Sequence, residues 1–216
     1  EVEHTWDLLG EDQYNPFPRA GRTVIADPGN LELNRLQVQY RCEFLDSIIT
    51  AGRQRITLDD QRFIGSVGWR QNEQTYDAVR LALSPIEDLT FNYAWLSRVN
   101  RIFGEQAPAA VLNHFDSDSH LFNVRYDGLT VGSFTAFAYL LDLEEASAIS
   151  SKTFGLRFNG SSPVNDSVSV LYDFQWAVQQ DYKGNPADYS AHFYRLEGAL
   201  DIEETLQFGL GYETLA

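Results

Sequence analysis

Several features are scarce in this chain, and each scarcity excludes a class of protein. Cys42 is the single cysteine, so an intramolecular disulfide and a thiolate metal cluster are both excluded. Nowhere do 18 apolar residues follow one another, which excludes a transmembrane helix. Lysine occurs twice, and the net charge of −15 argues against a nucleic-acid partner. With 44% hydrophobic and 13% aromatic residues, however, the chain is too apolar to be disordered.

What the chain has in abundance is alternation with a period of two residues, which is typical of β-strands. One set of positions is apolar and aromatic, and the other is polar and often carries arginine. The clearest stretches are 36–41, 89–95, 122–126, 154–158, 168–176 and 206–212. The pattern predicts an antiparallel meander of about eleven strands.

The predicted connections between these strands alternate strictly between short and long. Short turns rich in Gly, Pro, Asn and Asp are predicted near 43–46, 84–88, 127–128, 159–166 and 197–201. Longer connections are predicted at 10–30, 57–75, 100–119, 143–150 and 179–188. An outer-membrane barrel has short turns on one side and long loops on the other. We therefore predict an all-β fold, an up-and-down antiparallel transmembrane β-barrel, complete or incomplete.

A soluble β-sandwich or jelly-roll remains the alternative, because its strands also alternate between an inner and an outer face. Such a module would bind acidic carbohydrate through the same arginines. The aromatic character of the apolar positions and the length of several predicted strands favour the barrel over the sandwich.

A charged stretch at 52–77 gives the most specific indication of how the barrel is built and what it does. It reads GRQRITLDDQRFIGSVGWRQNEQTYD, so its arginines and carboxylates can pair with charges on a barrel wall. We therefore expect the connection 57–75 to fold inward and constrict the lumen. Its predicted constriction residues are Asp59, Asp60, Arg62 and Glu73.

This stretch, together with RVNRIFG at 98–104, HTWDLLGEDQYNP at 4–16 and DPGNLELNRLQVQYR at 27–41, resembles the alginate-export family of outer-membrane porins. The resemblance implies a bacterial outer-membrane barrel through which a solute passes by diffusion, and in the family's best-known member that solute is alginate, guided by an arginine-lined lumen. It also implies one barrel domain over 1–216, expected to be the N-terminal part of a longer barrel. The expected partners are outer-membrane lipid and an anionic saccharide or another small polar solute.

The arginines predicted to face the lumen follow from the alternation of the strands. By alternation they are Arg35, Arg41, Arg53, Arg55, Arg80, Arg98, Arg125 and Arg157. The residues predicted to line the pore are Arg53, Arg55, Arg70, Arg80, Arg98, Arg125 and Arg157. Guanidinium groups there would favour carboxylated sugars. The alternative is that they pair with wall carboxylates and only hold the barrel together.

The segment NHFDSDSH at 113–120 offers the remaining candidate chemistry. Asp116 and Asp118 could contribute oxygen ligands to Ca²⁺, but no bidentate Glu follows, so a solvated loop without metal is predicted. Ser117 near His114 or His120 could suggest a hydrolase, yet no third residue orients the pair, so we expect no enzymatic activity and no cofactor.

Aromatic residues could form interfacial girdles or pack in a core, and the two hypotheses predict different exposure. The candidates are Trp95, Tyr139, Trp176, Tyr182, Tyr189, Phe193, Tyr194 and Tyr212.

Overall fold

The computed structural model describes residues 1–5, 24–25, 27–105 and 107–216. They form twelve strands, one four-residue helix and two short 3₁₀ turns. The strands are β1 Val2–Thr5, β2 Asn30–Leu33, β3 Leu36–Cys42, β4 Ser47–Gln54, β5 Thr75–Ile86, β6 Leu89–Asn100, β7 His114–Leu129, β8 Gly132–Leu141, β9 Ser151–Asn165, β10 Val168–Asp181, β11 Ser190–Ile202 and β12 Leu206–Leu215. The helix α1 is Ala110–Asn113, and the 3₁₀ turns are Phe44–Asp46 and Ser147–Ile149. Among the described residues, no helix has the length and apolarity needed to cross a membrane.

Strands β3 to β12 pair with their sequence neighbours in one ten-stranded antiparallel sheet. Strands β1 and β2 form a separate two-stranded sheet. Within the described part of the chain, no second large sheet packs face to face with the first, so the β-sandwich alternative is wrong. No described pairing joins β3 to β12, and the sheet is therefore open at both edges. The meander predicted from alternation is confirmed: it consists of ten strands, and the described residues form twelve strands in all, where about eleven were predicted.

The two faces of the sheet differ as the alternation predicts. Residues paired across neighbouring strands project from the same face. One face, called here the aromatic face, carries exposed side chains such as Tyr40, Phe122, Phe154, Leu196 and Tyr212. The opposite face is called the loop face, because the connection 55–74 lies against it.

Short and long connections alternate as predicted, but three of the predicted turns are misplaced. The turns lie at 130–131, 166–167 and 203–205, because β7, β9 and β11 continue through the Gly- and Asp-containing stretches that resembled turns. The long connections are 55–74, 101–113, 142–150 and 182–189. Most of the predicted connection 10–30 lies outside the described residues. The edge of the sheet that carries the short turns is the turn end, and the opposite edge is the long-loop end.

The buried core lies between the loop face and the connection 55–74. Ile56, Leu58 and Ile64 of the connection are almost fully buried. They belong to one cluster with wall residues that include Leu96, Leu121, Phe137, Tyr139 and Phe193. A single-layer sheet thus obtains an apolar core by folding one connection across one of its faces.

Candidate functional site: the loop face and the connection 55–74

Phe63 attaches the connection to the centre of the loop face. Its ring centroid lies 5.4 Å from that of Phe137 and 5.8 Å from that of Phe193, the second contact being edge to face. Aromatic pairs at these distances contribute about 0.5–1.5 kcal/mol beyond the area that they bury. The guanidinium of Arg62 lies 4.6 Å above the Phe193 ring and pairs with Glu213 of β12 at 2.8 Å.

Asp59 contacts the wall next to this aromatic contact. Asn123 Nδ2 donates to Asp59 Oδ2 at 2.9 Å, and the Tyr139 hydroxyl donates to the same oxygen at 3.3 Å. Burial raises the pKa of the Asp59 carboxyl above its ordinary value, while the charge of Arg157 and the two hydrogen bonds act in the opposite direction. Asp59 adopts a left-handed φ of 51°, which brings the loop backbone into a tight turn.

Asp60 joins a chain of charges on the wall. Its carboxylate pairs with Arg195 of β11, and the other terminal nitrogen of Arg195 lies 3.1 Å from Asp173 Oδ2. Asp173 also pairs with Arg157. The more exposed Glu197 lies 3.9 Å from Arg195 Nε, at the margin of the group. Two guanidinium groups of the wall therefore share Asp173, and one of them, that of Arg195, also pairs with Asp60 of the connection.

A row of polar residues crosses the loop face beneath these charges. In register across β7 to β12, the row is Arg125, Thr135, Arg157, Gln175, Arg195 and Glu213. Gln175 and Thr135 are fully buried, and neither the Gln175 amide nor the Thr135 hydroxyl has a hydrogen-bond partner among the described residues. Towards the turn end, a cavity of about 710 Å³ opens beside Asp173, floored by small residues such as Ser161, Ala199 and Gly209.

Register places four of the arginines predicted to face the lumen on the loop face. Arg125 and Arg157 both lie directly opposite Thr135 in the strand register. Arg80 shares this face through its partner Ala94, which pairs in turn with buried Leu121. Arg41 pairs with Ile48 near the turn end of the same face. Arg125 is neutralised by Asp127, whereas Arg80 donates to the neutral Asn92 at 2.7 Å.

Arg53 and Arg98 lie on the aromatic face, which corrects their predicted placement. Arg53 pairs in register with Leu36 and Asp77, and it makes an ion pair with Asp77 at 2.8 Å. Arg98 pairs in register with Asp77 and Asp116 and contacts Asp116 at 2.8 Å. Both arginines therefore belong to a charged strip at the long-loop end of the aromatic face.

The reason for this correction is different in the two strands. In β6, a β-bulge between Leu96 and Arg98 inserts one residue, and one inserted residue exchanges the faces for the rest of the strand. In β4, Ile49 and Ala51 project from the aromatic face, and the same alternation places Arg53 there. The charge of Arg53 predicts the polar face, whereas its position in the alternation places it on the aromatic face.

The other predicted charges gather at the long-loop end. Arg55 pairs with Glu73 at 2.5 Å, and buried Glu73 also accepts from Asn34 at 3.0 Å. Arg35 pairs with Glu1. Arg70 pairs with Asp27 at 3.1 Å. Of the four residues predicted to form the constriction, Asp59, Asp60 and Arg62 lie against the loop face. Glu73 instead connects the end of the connection to the segment just before β3.

The segment 114–120 is part of strand β7, so its prediction as a loop is wrong. Ser117 is buried and bonds Ser119 at 2.7 Å, whereas His114 and His120 project from the opposite face of the strand. The serine and the histidines therefore do not meet. His114, Asp116 and Glu145 offer ligand atoms within 4.8 Å of one another, but Arg98 already holds Asp116. Asp118 accepts from Trp95 Nε1 at 2.9 Å.

The aromatic residues divide between the two hypotheses. Trp95, Tyr194 and Tyr212 are exposed on the aromatic face, as girdle residues would be. Tyr139 and Phe193 are buried under the connection 55–74 and belong to the core.

Arg195 is the important residue that the sequence reasoning missed. Its only signal was position, because Arg195 alternates with the apolar Tyr194 and Leu196 in β11 and so projects from the polar face. The ladder of direct partners from Arg157 through Gln175 to Arg195 becomes apparent only once the register is known.

Comparison with solved structures supports the architecture. Acinetobacter baumannii OccAB4 superposes with a TM-score of 0.64 at 15% identity, over 78% of this chain and 41% of that one. Pseudomonas aeruginosa OccD3 (OpdP) gives 0.64 at 12% identity, over 86% and 44%. The outer membrane protein opdK from Pseudomonas aeruginosa gives 0.65 at 12% identity, over 87% and 48%. The chain thus spans less than half the length of these proteins. No curated protein sequence matches it significantly.

An amphiphilic ten-stranded meander with a connection across its polar face defines the wall of a bacterial outer-membrane β-barrel of the porin type. Residues 20–213 match the family described as Alginate export. The chain belongs to the alginate-export family.

Proposed function

We propose that this chain forms part of the wall of an outer-membrane channel through which polar solutes diffuse, and that acidic saccharides are its preferred class of solute. The observation that carries the proposal is the connection 55–74, which lies across the polar face beside a row of arginines. A loop in this position narrows the lumen and brings the solute within reach of fixed charges. The family match supports the saccharide.

The arginines proposed to line the lumen are those of the loop face, namely Arg80, Arg125, Arg157 and Arg195. Arg80 is the best candidate for direct contact with an anion, because its hydrogen-bond partner Asn92 is neutral. The constriction is proposed to consist of Asp59, Asp60 and Arg62. Glu73 contributes by holding the end of the connection. Arg53 and Arg98, on the aromatic face, are not proposed to contact the solute.

The test is ion conductance across a planar lipid bilayer that contains the purified chain. We expect stepwise currents, which a trigalacturonate added to one side blocks more strongly than the neutral maltotriose does. Arg80→Gln should weaken the block by the acidic sugar, whereas Arg53→Gln serves as the matched control on the aromatic face. Currents that both sugars block equally would leave a general diffusion pore and remove the acidic preference. The absence of any current would contradict the channel itself.

A further inference from the structure

We infer that Asp59 and Asp60 occupy a carboxylate-binding site of the wall and that the carboxylates of an acidic saccharide compete with them for it. The wall side of this site consists of Asn123, Tyr139, Arg157 and Arg195. The connection 55–74 is then an internal competitor, which fills the site until a solute of the same chemistry displaces it. This inference rests on the proposed function, since it names how the solute of that channel is recognised.

The first argument is the chemistry of the wall groups that face the two aspartates. Asn123 presents its amide nitrogen to Asp59 at 2.9 Å, and Tyr139 presents its hydroxyl at 3.3 Å. Arg195 presents a guanidinium nitrogen to Asp60. Each of these groups acts as a donor, and together they form the kind of pocket that recognises a carboxylate. Nothing in such a set of donors distinguishes the carboxylate of an aspartate from that of a uronic acid.

The second argument is the donor capacity that remains on the wall without the connection. Arg157 and Arg195 each carry five N–H donors and share Asp173 as a wall partner. Arg195 Nε has no hydrogen bond, and the buried Gln175 amide beside it has none either. When Asp60 withdraws, the guanidinium of Arg195 loses a partner in a confined space. An anion that enters restores that pairing, which gives the site a reason to bind one.

The third argument is that the two aspartates are adjacent and lie in a strained turn. Successive units of a polyuronate each carry one carboxylate, and Asp59 and Asp60 likewise present two neighbouring carboxylates. Asp59 and Gln61 both adopt left-handed backbone, with φ of 51° and 62°. Residues other than glycine rarely adopt this backbone conformation, so the turn is strained. Release of the turn relieves that strain, which makes displacement by a competing anion easier.

The experiment compares two variants that each remove one carboxylate between the connection and the wall. Asp60→Asn removes the competitor at Arg195. Glu213→Gln breaks the ion pair of the same connection with Arg62 but leaves both aspartates in place. The full chain is folded in detergent, and heat-modifiable gel migration verifies each variant. Binding of trigalacturonate is measured by calorimetry, with maltotriose as the neutral probe.

We expect Asp60→Asn to bind trigalacturonate on the order of tenfold more tightly than the parent chain, because its internal competitor is lost. Glu213→Gln should stay within roughly twofold of the parent. Arg195→Gln should lose the binding, and maltotriose affinity should not respond to any of the three changes. If Asp60→Asn leaves trigalacturonate affinity unchanged, or raises maltotriose affinity equally, the competition inference is overturned.

The bilayer currents separate this result from the proposed function. Currents blocked equally by trigalacturonate in the parent and in Asp60→Asn would overturn the inference and leave the channel standing. Tighter binding to Asp60→Asn without any current would support the carboxylate site and contradict the channel.

Discussion

Gly155 sets the depth at which Phe137 can sit beneath the connection. A Cβ at this position would overlap the Phe137 ring and would lie 2.8 Å from the Trp176 carbonyl oxygen. Phe137 in turn contacts Phe63. The absence of a side chain at one residue of β9 therefore allows a residue of the distant connection to pack against the wall.

Gly155→Ala should destabilise the folded chain by about 1–3 kcal/mol, because overpacking forces the Phe137 ring out of place. Urea unfolding from lipid vesicles, followed by tryptophan fluorescence, measures the effect. The matched control is Gly198→Ala in the same sheet, where the added Cβ would meet its nearest atom at an ordinary 4.0 Å. Equal stability of the two variants would contradict the role assigned to Gly155.

Single residues also show where sequence reasoning fails. Arg125 and Arg157 were placed on the polar face correctly, because unbroken alternation connects them to their aromatic neighbours. Arg98 was not, because the bulge before it leaves no mark in the composition of the strand. Arg195 was overlooked because its importance depends on Asp60, a residue 135 positions away in sequence.

The connection 55–74 is the element on which the proposed constriction depends, and Phe63 is its main apolar attachment to the wall. Phe63→Ala should weaken this attachment by about 3 kcal/mol through the loss of three aromatic contacts. Trypsin should then cleave after Arg62 and Arg70 faster than in the parent chain. Trp69→Ala is the control, since Trp69 lies in the same connection but is 76% exposed. Unchanged cleavage of the Phe63 variant would show that the charges alone hold the connection.

The attachment of the connection 55–74 to the wall should also depend on pH. Burial raises the pKa of Asp59 when the connection is attached to the wall, so the attached connection takes up a proton more readily than a detached one. The attachment of the connection to the wall therefore strengthens as pH falls through the raised pKa towards the ordinary aspartate value of about 3.9. This added stability is absent at higher pH.

Bilayer current should consequently fall on acidification within this window. Asp59→Asn, which cannot titrate, should show a flatter dependence of current on pH than the parent chain. The same dependence in both proteins would assign the effect to another group.

At the scale of strands and connections, the alternation of apolar and polar residues predicted the strands, their order and the succession of short and long connections. It could not fix three of the turns, because Asp127, Gly128, Gly160, Gly198 and Asp201 lie inside strands whose pairing overrides their preference for turns. The charge of the connection 57–75 indicated a contact with wall residues. Its apolar attachment through Phe63 was not predicted, since it requires partners from β8 and β11.

For the molecule as a whole, the two faces of the sheet should respond differently to the same charge. Leu196→Arg places a guanidinium on the exposed aromatic face and should cost about 2–4 kcal/mol if it lies near the bilayer midplane. Ala199→Arg, on the same strand, projects towards the open cavity at the turn end and should cost much less. Urea titrations of both variants in lipid vesicles measure the difference. Equal costs would contradict the assignment of the aromatic face to lipid.

The bulge in β6 has a consequence for how such a wall can change over generations. Deleting Ser97 would remove the bulge and leave Arg98 on the aromatic face, because Arg98 would then follow Leu96 in regular alternation. A codon gained at this place is therefore absorbed by the bulge, and the rest of the strand keeps its faces. A codon gained or lost in a stretch without a bulge instead exchanges the faces of the residues beyond it, so insertions and deletions, and not substitutions alone, are a direct route by which the selectivity of a β-barrel wall can evolve.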